Sequence, residues 1–530
     1  MRGLLTRIDR LARTQPLSVA LSLAALLVAL YVVAGPLFSV RYPAMTDLPF
    51  HAAQTSTFRH YLDPAFHQRE QFSLHPLAVP YISMYALGAA LMLVFPMLTA
   101  VKIAAAVMLG LLPAGLAVMF HGMKKSPLLG LLGLGLVWCN LSHWGFLNFM
   151  GALGLFAMAI GQTFLLLDRP SRGRKLGLAL TLIALFFTHI FRFPFALSAV
   201  VGTAIFLYPS TRRLRPIVLP LLPAIALMLL WLKVRPAALA GEMGPLSVHT
   251  ERLGEIGGLL TGSFHDPGEK LAFQAFATVA FRVAIVCLAA QAIRVLLGRS
   301  VPPLRWTLAA VLVPLSCALV FLGLFLVLPM EIGVWWYVYP REATAAAFLI
   351  LGVFPDLPRS IWLKAPLTLA LCVGALDIAQ VVNRNYAKFD QATQDFQAIT
   401  RQIPVGPKLL YLVFDHGGST RTTTPFIHLP AYVQAERGGW LSFHFAVWGA
   451  SPVQYRSPDE PGAVVPPPVM TRWEWKPQVF DLKKQGAFFD WFLVRQGRSS
   501  DYIFSADPTI ERVDHQGSWW LYRRRQRPAQ

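Results

Sequence analysis

The sequence predicts a polytopic α-helical membrane protein that carries a smaller α/β domain at its C-terminal end. Three observations predict it. Hydrophobic residues fill 55% of the 530 positions and charged residues only 14%, which leaves too little polar surface for a soluble chain of this length. Runs of roughly twenty residues without charge recur up to about residue 382, the length a helix needs to cross a bilayer. Arginine and lysine gather in short loops between those runs, and after Asn383 the composition changes to mixed charge and short strand-like stretches.

The runs fall near residues 17–38, 98–120, 127–141, 145–167, 175–191, 193–208, 215–234, 271–296, 304–328, 343–355 and 361–382, about eleven spans. The first, Leu17 to Phe38, follows Arg2, Arg7, Arg10 and Arg13. It is too long for the apolar part of a signal peptide and no small-x-small cleavage site follows, so it is read as a retained helix. A net charge of +20 would suggest nucleic acid if it formed one patch. It is instead divided among Lys124 and Lys125; Arg169, Arg172, Arg174 and Lys175; Arg212, Arg213 and Arg215; Arg294, Arg299 and Arg305; and Arg359 with Lys364. This alternation is the positive-inside pattern, an orientation signal and not a ligand site. With the N-terminus inside, all these loops fall inside and the tail falls outside.

One run breaks the count. Residues 78–96, "AVPYISMYALGAALMLVFP", would as a twelfth span turn every later loop over. They are therefore expected to form a juxtamembrane or re-entrant helix on the outer face. The four cysteines, Cys139, Cys287, Cys317 and Cys372, all lie in apolar runs without metal-ligand spacing, which supports neither disulfides nor a zinc site.

The outer face then holds a long first loop (39–97), loops at 235–270 and 329–342, and the tail. The expected division is 1–382 for the membrane domain and 383–530 for an extracytoplasmic α/β domain. In the latter, "KLLYLVF" (408–414), "WFLVRQ" (491–496) and "SWWLYRR" (518–524) read as strands. A helical stretch from Tyr386 to Ile403 leads through the turn "PVGPK" into the first of them, and 461–469 is a Pro-rich loop. No Gly-rich phosphate motif is present in this domain.

Asp47 stands near the start of the long outer loop. His75, Pro76 and Leu77 follow, then the 80–96 segment, then Lys102 in "LTAVKIAAAV", and much later "YVYPREATAAAFLILGVF" at 337–354. In this order the features resemble the GT-C superfamily of membrane glycosyltransferases, which includes protein O-mannosyltransferases and lipid A aminoarabinose transferases. The resemblance also makes 80–96 a non-spanning helix. It implies a bacterial inner-membrane enzyme with its site on the outer face. The implied donor is a sugar on a polyprenyl phosphate; the implied acceptor is a glycan, a lipid or a protein. No nucleic acid and no required cofactor are implied. The family often has an Asp-Glu pair where this chain has Thr46-Asp47, and a second Pro where it has Leu77. The first departure leaves a divalent metal optional.

Each candidate residue carries two readings. Asp47 is a helix N-cap before Pro49, or the general base that takes a proton from an acceptor hydroxyl. His51, one turn on, stabilises the helix start or contacts substrate. His75 caps the surface helix or contacts substrate. Glu70 and Asp63 are solvated loop charges, or acids that assist Asp47. Arg341, beside Trp335, Trp336 and Tyr337, is an interfacial anchor, or a guanidinium that holds the donor phosphate. Glu342 is its neighbour and Arg192 a second phosphate candidate. Arg282 falls in mid-span, where a charge is expensive; Asp377, nearer an outer helix end, is its counter-ion or an interfacial charge. The rival functions are a transport or flippase-like protein built on Arg282 and Asp377, a non-catalytic assembly protein, and a polysaccharide polymerase or ligase.

Overall fold

The computed structural model of the chain describes residues 14–236, 243–298, 302–418, 420–467 and 475–525. Arg2, Arg7, Arg10, Arg13, Arg299 and the end of the Pro-rich stretch lie outside the described residues. From the N-terminus the longer helices are α1 (Pro16–Phe38), α2 (Leu48–His60), α3 (Ser83–Leu91), α4 (Met97–Gly122), α5 (Leu147–Asp168), α6 (Arg172–Thr188), α7 (Phe193–Thr211), α8 (Arg215–Val234), α9 (Pro267–Leu296), α10 (Leu304–Val327), α11 (Val338–Ile350) and α12 (Ile361–Ala392).

Among the described residues, eight helices are long and apolar enough to cross a membrane: α1, α4, α5, α7 with the turn before it, α8, α9, α10 and α12. Three of the eleven expected spans are shorter. Residues 127–141 form a 3-10 stretch, Pro127–Gly133, followed by Leu134–Val137 and the start of Asn140–Trp144. A Cβ at Gly130 would lie 2.6 Å from the Pro113 carbonyl oxygen of α4, so glycine lets this backbone lie directly against α4. The 3-10 form rises about 2.0 Å per residue and so covers more depth than an α-helix of equal length. The other two are α6, of 17 residues, and α11, of 13.

All three still join the same two ends of the bundle. At one end Lys125 Nζ donates to the carbonyls of Gly352 and Phe354, just past α11, and Ser126 N–H donates to Asp356. At the other end Trp144, His189 and Arg341 line one cavity. The basic loops meet at the first end: Lys124 pairs with Asp168 at 2.9 Å and lies over the Trp306 ring, and Arg213 donates to the carbonyls of Leu167 and Asp168. Through the middle runs α5, the most buried helix of the bundle. It packs on α4 through Gly154 and Gly161, which meet Gly115 and Gly122 so closely that any Cβ there would strike backbone.

The 80–96 segment contains only the nine-residue α3, about 14 Å long against a bilayer core of roughly 30 Å. It lies against α2, with Gly88 in contact with Thr55.

The tail begins inside a helix, since α12 runs unbroken past 382 to Ala392. Its strands, with one pair at the loop, are β1 (Phe72–Leu74), β2 (Lys408–Val413), β3 (Trp440–Leu441), β4 (Val453–Tyr455), β5 (Trp491–Arg495), β6 (Ile510–Gln516) and β7 (Trp519–Arg524). The main sheet has the order β3-β2-β5-β7-β6, with β3, β2 and β5 parallel and β7 and β6 antiparallel. β1, in the connection between α1 and α4, pairs with β4 of the tail. Tyr42 stacks on Tyr432 at 4.7 Å, and Phe50 packs against Phe443 and Phe445. The tail is thus built onto the loop that carries Asp47.

Candidate active site

Asp47 stands at the N-cap of α2, with proline in the first turn, yet its carboxylate makes no capping hydrogen bond. Oδ1 lies 3.1 Å from Nδ1 of His428, which is also 3.1 Å from the Thr46 carbonyl. A carboxylate and a carbonyl only accept, so this Nδ1 carries the proton and donates. The backbone is fixed as well. Thr46 N–H donates to the His143 carbonyl at 2.9 Å and Asp47 N–H to the Trp144 carbonyl at 3.0 Å. Gly145, with φ +98°, lies so close that a Cβ there would be 2.8 Å from Asp47 Cβ. The carboxylate is therefore held from two sides, by the α4–α5 connection and by the tail.

His51 shares the face of Asp47, as its spacing predicts, but both ring nitrogens are engaged. Nε2 donates to the Gly145 carbonyl at 2.8 Å, and Nδ1 accepts from the Tyr85 hydroxyl at 3.0 Å. Burial lowers its pKa, so the ring stays neutral. It braces the Gly145 turn beside Asp47.

Asp47 and His51 line a cavity of about 620 Å³ whose walls are mostly apolar and aromatic. Arg341 lines the same cavity. Its guanidinium lies 4.3 Å over the Phe146 ring, and Nη2 donates to the Trp336 carbonyl at 2.8 Å. Around it are Tyr81, Asn148, His189 and Trp335, all on the cavity wall. The rings of His189 and Trp335 sit 5.0 and 5.5 Å from Tyr81. Tyr81 Oη, His189 Nδ1, Trp335 Nε1, Arg341 Nε and Asn148 Oδ1 are all buried without a hydrogen-bond partner among the described residues. Unpaired buried polar atoms are rare, and a cluster of them marks a place where a bound group completes the bonding. Trp335 Nε1 and Arg341 Nε are donors only and the Tyr81 hydroxyl donates readily, whereas Asn148 Oδ1 only accepts; the donors outnumber it, which suits an anion.

Other expected site residues are placed elsewhere. Arg192 does not line this cavity; it forms a two-pronged ion pair with Glu342, with Nη1 2.5 Å from Oε2 and Nη2 bonded to Oε1. Both partners are buried. Consecutive residues of a helix point about 100° apart, so Arg341 and Glu342 serve different neighbours and Arg192 is not free for phosphate. His75 also lies off the cavity wall, with Nε2 2.8 Å from the Ser73 hydroxyl, and α3 starts too far on to be capped by it. Glu70 bonds His67 at 2.7 Å, and Asp63 caps the turn Pro64–Phe66; neither reaches the cavity wall. Lys102 donates to the Val40 carbonyl, tying α4 to the end of α1. Arg282 and Asp377 are both exposed on outer helix surfaces and form no ion pair among the described residues. They therefore do not line an internal transport path.

Sequence reasoning did not single out Tyr81, Asn148, Trp335 or His428 as site residues. Trp335 reads as part of an interfacial aromatic belt and Tyr81 as one residue of the non-spanning segment, and the signal that marks both, an unpaired buried polar atom, exists only in three dimensions. Among the described residues no three His, Cys, Asp or Glu side chains come together as a metal-ligand set.

No protein-family model matches the chain, and no curated protein sequence matches it. Solved structures do. ArnT from Cupriavidus metallidurans in the apo state superposes with a TM-score of 0.53 over 95% of this chain and 98% of that one, at 12% identity. ArnT from the same organism bound to undecaprenyl phosphate gives 0.54 over 94% and 97%, again at 12% identity. At this identity the likeness speaks for the fold alone: the chain has an ArnT-like fold over nearly its whole length.

Proposed function

We propose that the chain is a glycosyltransferase of the membrane that moves a sugar from a polyprenyl-phosphate donor to a hydroxyl-bearing acceptor on the outer face. One observation carries the reading. A single cavity holds a carboxylate fixed by His428 on one wall and a cluster of unpaired polar atoms around Arg341 on another. The undecaprenyl phosphate of the ArnT neighbour supports a lipid phosphate as the anion. The positive-inside pattern supports placing the basic end in the cytoplasm and the cavity end, with the tail, outside. The tail from residue 383 is proposed as the extracytoplasmic domain.

Asp47 takes the proton of the acceptor hydroxyl. The oxygen attacks the anomeric carbon in line with the departing group. The carbon–oxygen bond to the phosphate breaks, and the electron pair leaves with the lipid phosphate. Arg341, Trp335 and Tyr81 bind the oxygens on which that charge grows. His428 donates to Asp47 and holds it oriented. The apolar walls keep water away from the sugar. No step requires a metal, and Asp47 is the one acid used.

The test uses the full chain in vesicles. Undecaprenyl phosphate should raise the unfolding temperature of the wild type and of Asp47→Asn, but much less that of Arg341→Ala. A panel of undecaprenyl-phosphate sugars supplies the donor. With the active one, Asp47→Asn should lose about 10²–10⁴-fold in rate. Arg341→Ala should weaken donor binding and turnover together, and Arg341→Lys should restore charge without the paired geometry and rescue in part. Near-normal transfer by Asp47→Asn, or equal lipid stabilisation of Arg341→Ala, overturns the assignment.

A further inference from the structure

Arg282 and Asp377 lie along one lipid-facing seam, and the cavity uses neither. Arg282 is midway along α9, and Asp377 lies on α12 five residues before the end of the 361–382 span. Both are exposed, and neither has a hydrogen bond or ion pair among the described residues. The exposed residues near them are apolar, including Phe281, Ile285 and Val373.

Contacts near the cavity end locate the seam. A Cβ on Gly268 of α9 would be 3.5 Å from Nη2 of Arg384 of α12. Beside them, Asn385 Nδ2 donates to Asp266 at 2.9 Å. Arg282 lies fourteen residues beyond Gly268, and Asp377 seven before Arg384. At 3.6 residues per turn these are close to four and two whole turns, so both side chains return to the seam. At 1.5 Å per residue Asp377 is about 10 Å below the level of Arg384 and Arg282 about 21 Å below it. The two are thus about 10 Å apart in depth, too far for a direct ion pair.

A charge that faces lipid at mid-depth, as Arg282 does, is costly and normally meets a partner, and Asp377 nearer the outer end offers that partner a second, opposite contact. We propose that the α9–α12 seam is the docking site of a partner transmembrane helix. That helix carries a carboxylate opposite Arg282 and a cationic side chain about seven residues nearer the cavity end, opposite Asp377. Charge complementarity selects this occupant over a second copy of the chain. Two copies related by an axis along the membrane normal place identical residues at identical depths. Arg282 would then face Arg282 and Asp377 would face Asp377.

The experiment places the labelled full chain in phosphatidylcholine vesicles and measures energy transfer to three synthetic Leu/Ala helices of about 24 residues. One bears a central Glu with a Lys seven residues toward one end. The second has the two charges exchanged, and the third has neither. The matched helix should associate on the order of tenfold more tightly than the exchanged one. The preference should fall in Arg282→Leu and in Asp377→Leu, while stabilisation by undecaprenyl phosphate stays at the wild-type level. Both substitutions put an apolar side chain on a lipid-facing surface, so the fold should tolerate them. Equal association of the three helices overturns the proposal. So does a preference that survives Arg282→Leu, or self-association of the chain that depends on Arg282.

Discussion

A single methyl group at Gly145 should disable Asp47 without removing it. The residue has φ +98°, and the Cβ of an alanine there would lie 2.8 Å from Asp47 Cβ, 3.0 Å from its nitrogen and 3.2 Å from its Cα. Ordinary contact begins near 3.4 Å, so Asp47 and the turn must separate by about 0.6 Å or more, before any backbone relaxation. Neither side yields easily. Asp47 N–H is bonded to the Trp144 carbonyl, and the Gly145 carbonyl accepts from His51. Forcing alanine into the left-handed region costs a further 1–3 kcal/mol or so. A misplacement on the order of 1 Å at a reacting group lowers rate by roughly 10²-fold. Gly145→Ala should therefore lose about 10²-fold in turnover with donor binding reduced less, since of the groups around Arg341 only the Phe146 ring adjoins the turn. The assay is the initial rate of sugar transfer by the full chain in vesicles, beside thermal stabilisation by undecaprenyl phosphate. Gly173→Ala, at a helical glycine with nothing within 4 Å, serves as the control. Wild-type turnover in Gly145→Ala, or a loss confined to donor binding, would refute the reasoning that ties this turn to Asp47.

Two further outcomes are expected. His444 in the tail is buried, its Nδ1 accepts from Ala446 N–H at 3.0 Å, and burial pushes its pKa down to about 3. The fold keeps it neutral while the unfolded chain titrates near 6.5, so stability is lost as pH falls from about 6.5 toward 3; between pH 7 and 5 the loss is about 2 kcal/mol. His444→Asn should show a shallower pH dependence of unfolding across that window, and an unchanged slope would show that another group sets it. Cysteine placed at the exposed position Ser505 should be labelled from outside intact cells and one at Ser171, also exposed, should not; the reverse would invert the orientation.

Much of the membrane architecture was legible because it follows from periodicity and charge. Apolar runs gave the long helices, and loop parity gave 80–96 as a segment that does not cross. That segment was legible because the basic loops and the order of the family features both argued against a crossing, since its composition alone is that of a span. Segments 127–141 and 343–355 were harder. They run between the two ends of the bundle with few residues, one by a 3-10 stretch made possible by Gly130 against Pro113. Hydropathy does not register a change of rise per residue. In the tail the strands rich in Leu, Val, Trp and Phe were visible, whereas β6, "IERVDHQ", is an edge strand of mixed polarity and was not.

The candidate site was legible at Asp47 and Arg341 and illegible at what makes them a site. Glu342 is the sequence neighbour of Arg341, but helix geometry turns it toward Arg192, and that pairing withdraws Arg192 from the phosphate. Sequence distance hid the partner of Asp47 altogether, because His428 is 381 residues away. The departure from the family pattern at Thr46 now has a physical reading. Thr46 is fully buried, its hydroxyl accepts from Thr424 N–H at 3.1 Å, and its carbonyl faces His428. Where relatives of the resembled family often place a second acid, this chain has a residue that fixes the tail against the loop. A second carboxylate beside Asp47 would raise its pKa by repulsion and raise the demand for a cation. A threonine removes that repulsion and lets the tail deliver a donor instead. The tail is thereby part of the site's electrostatics, and cutting the Thr46–Thr424 and Asp47–His428 contacts should impair turnover even where the membrane helices remain intact.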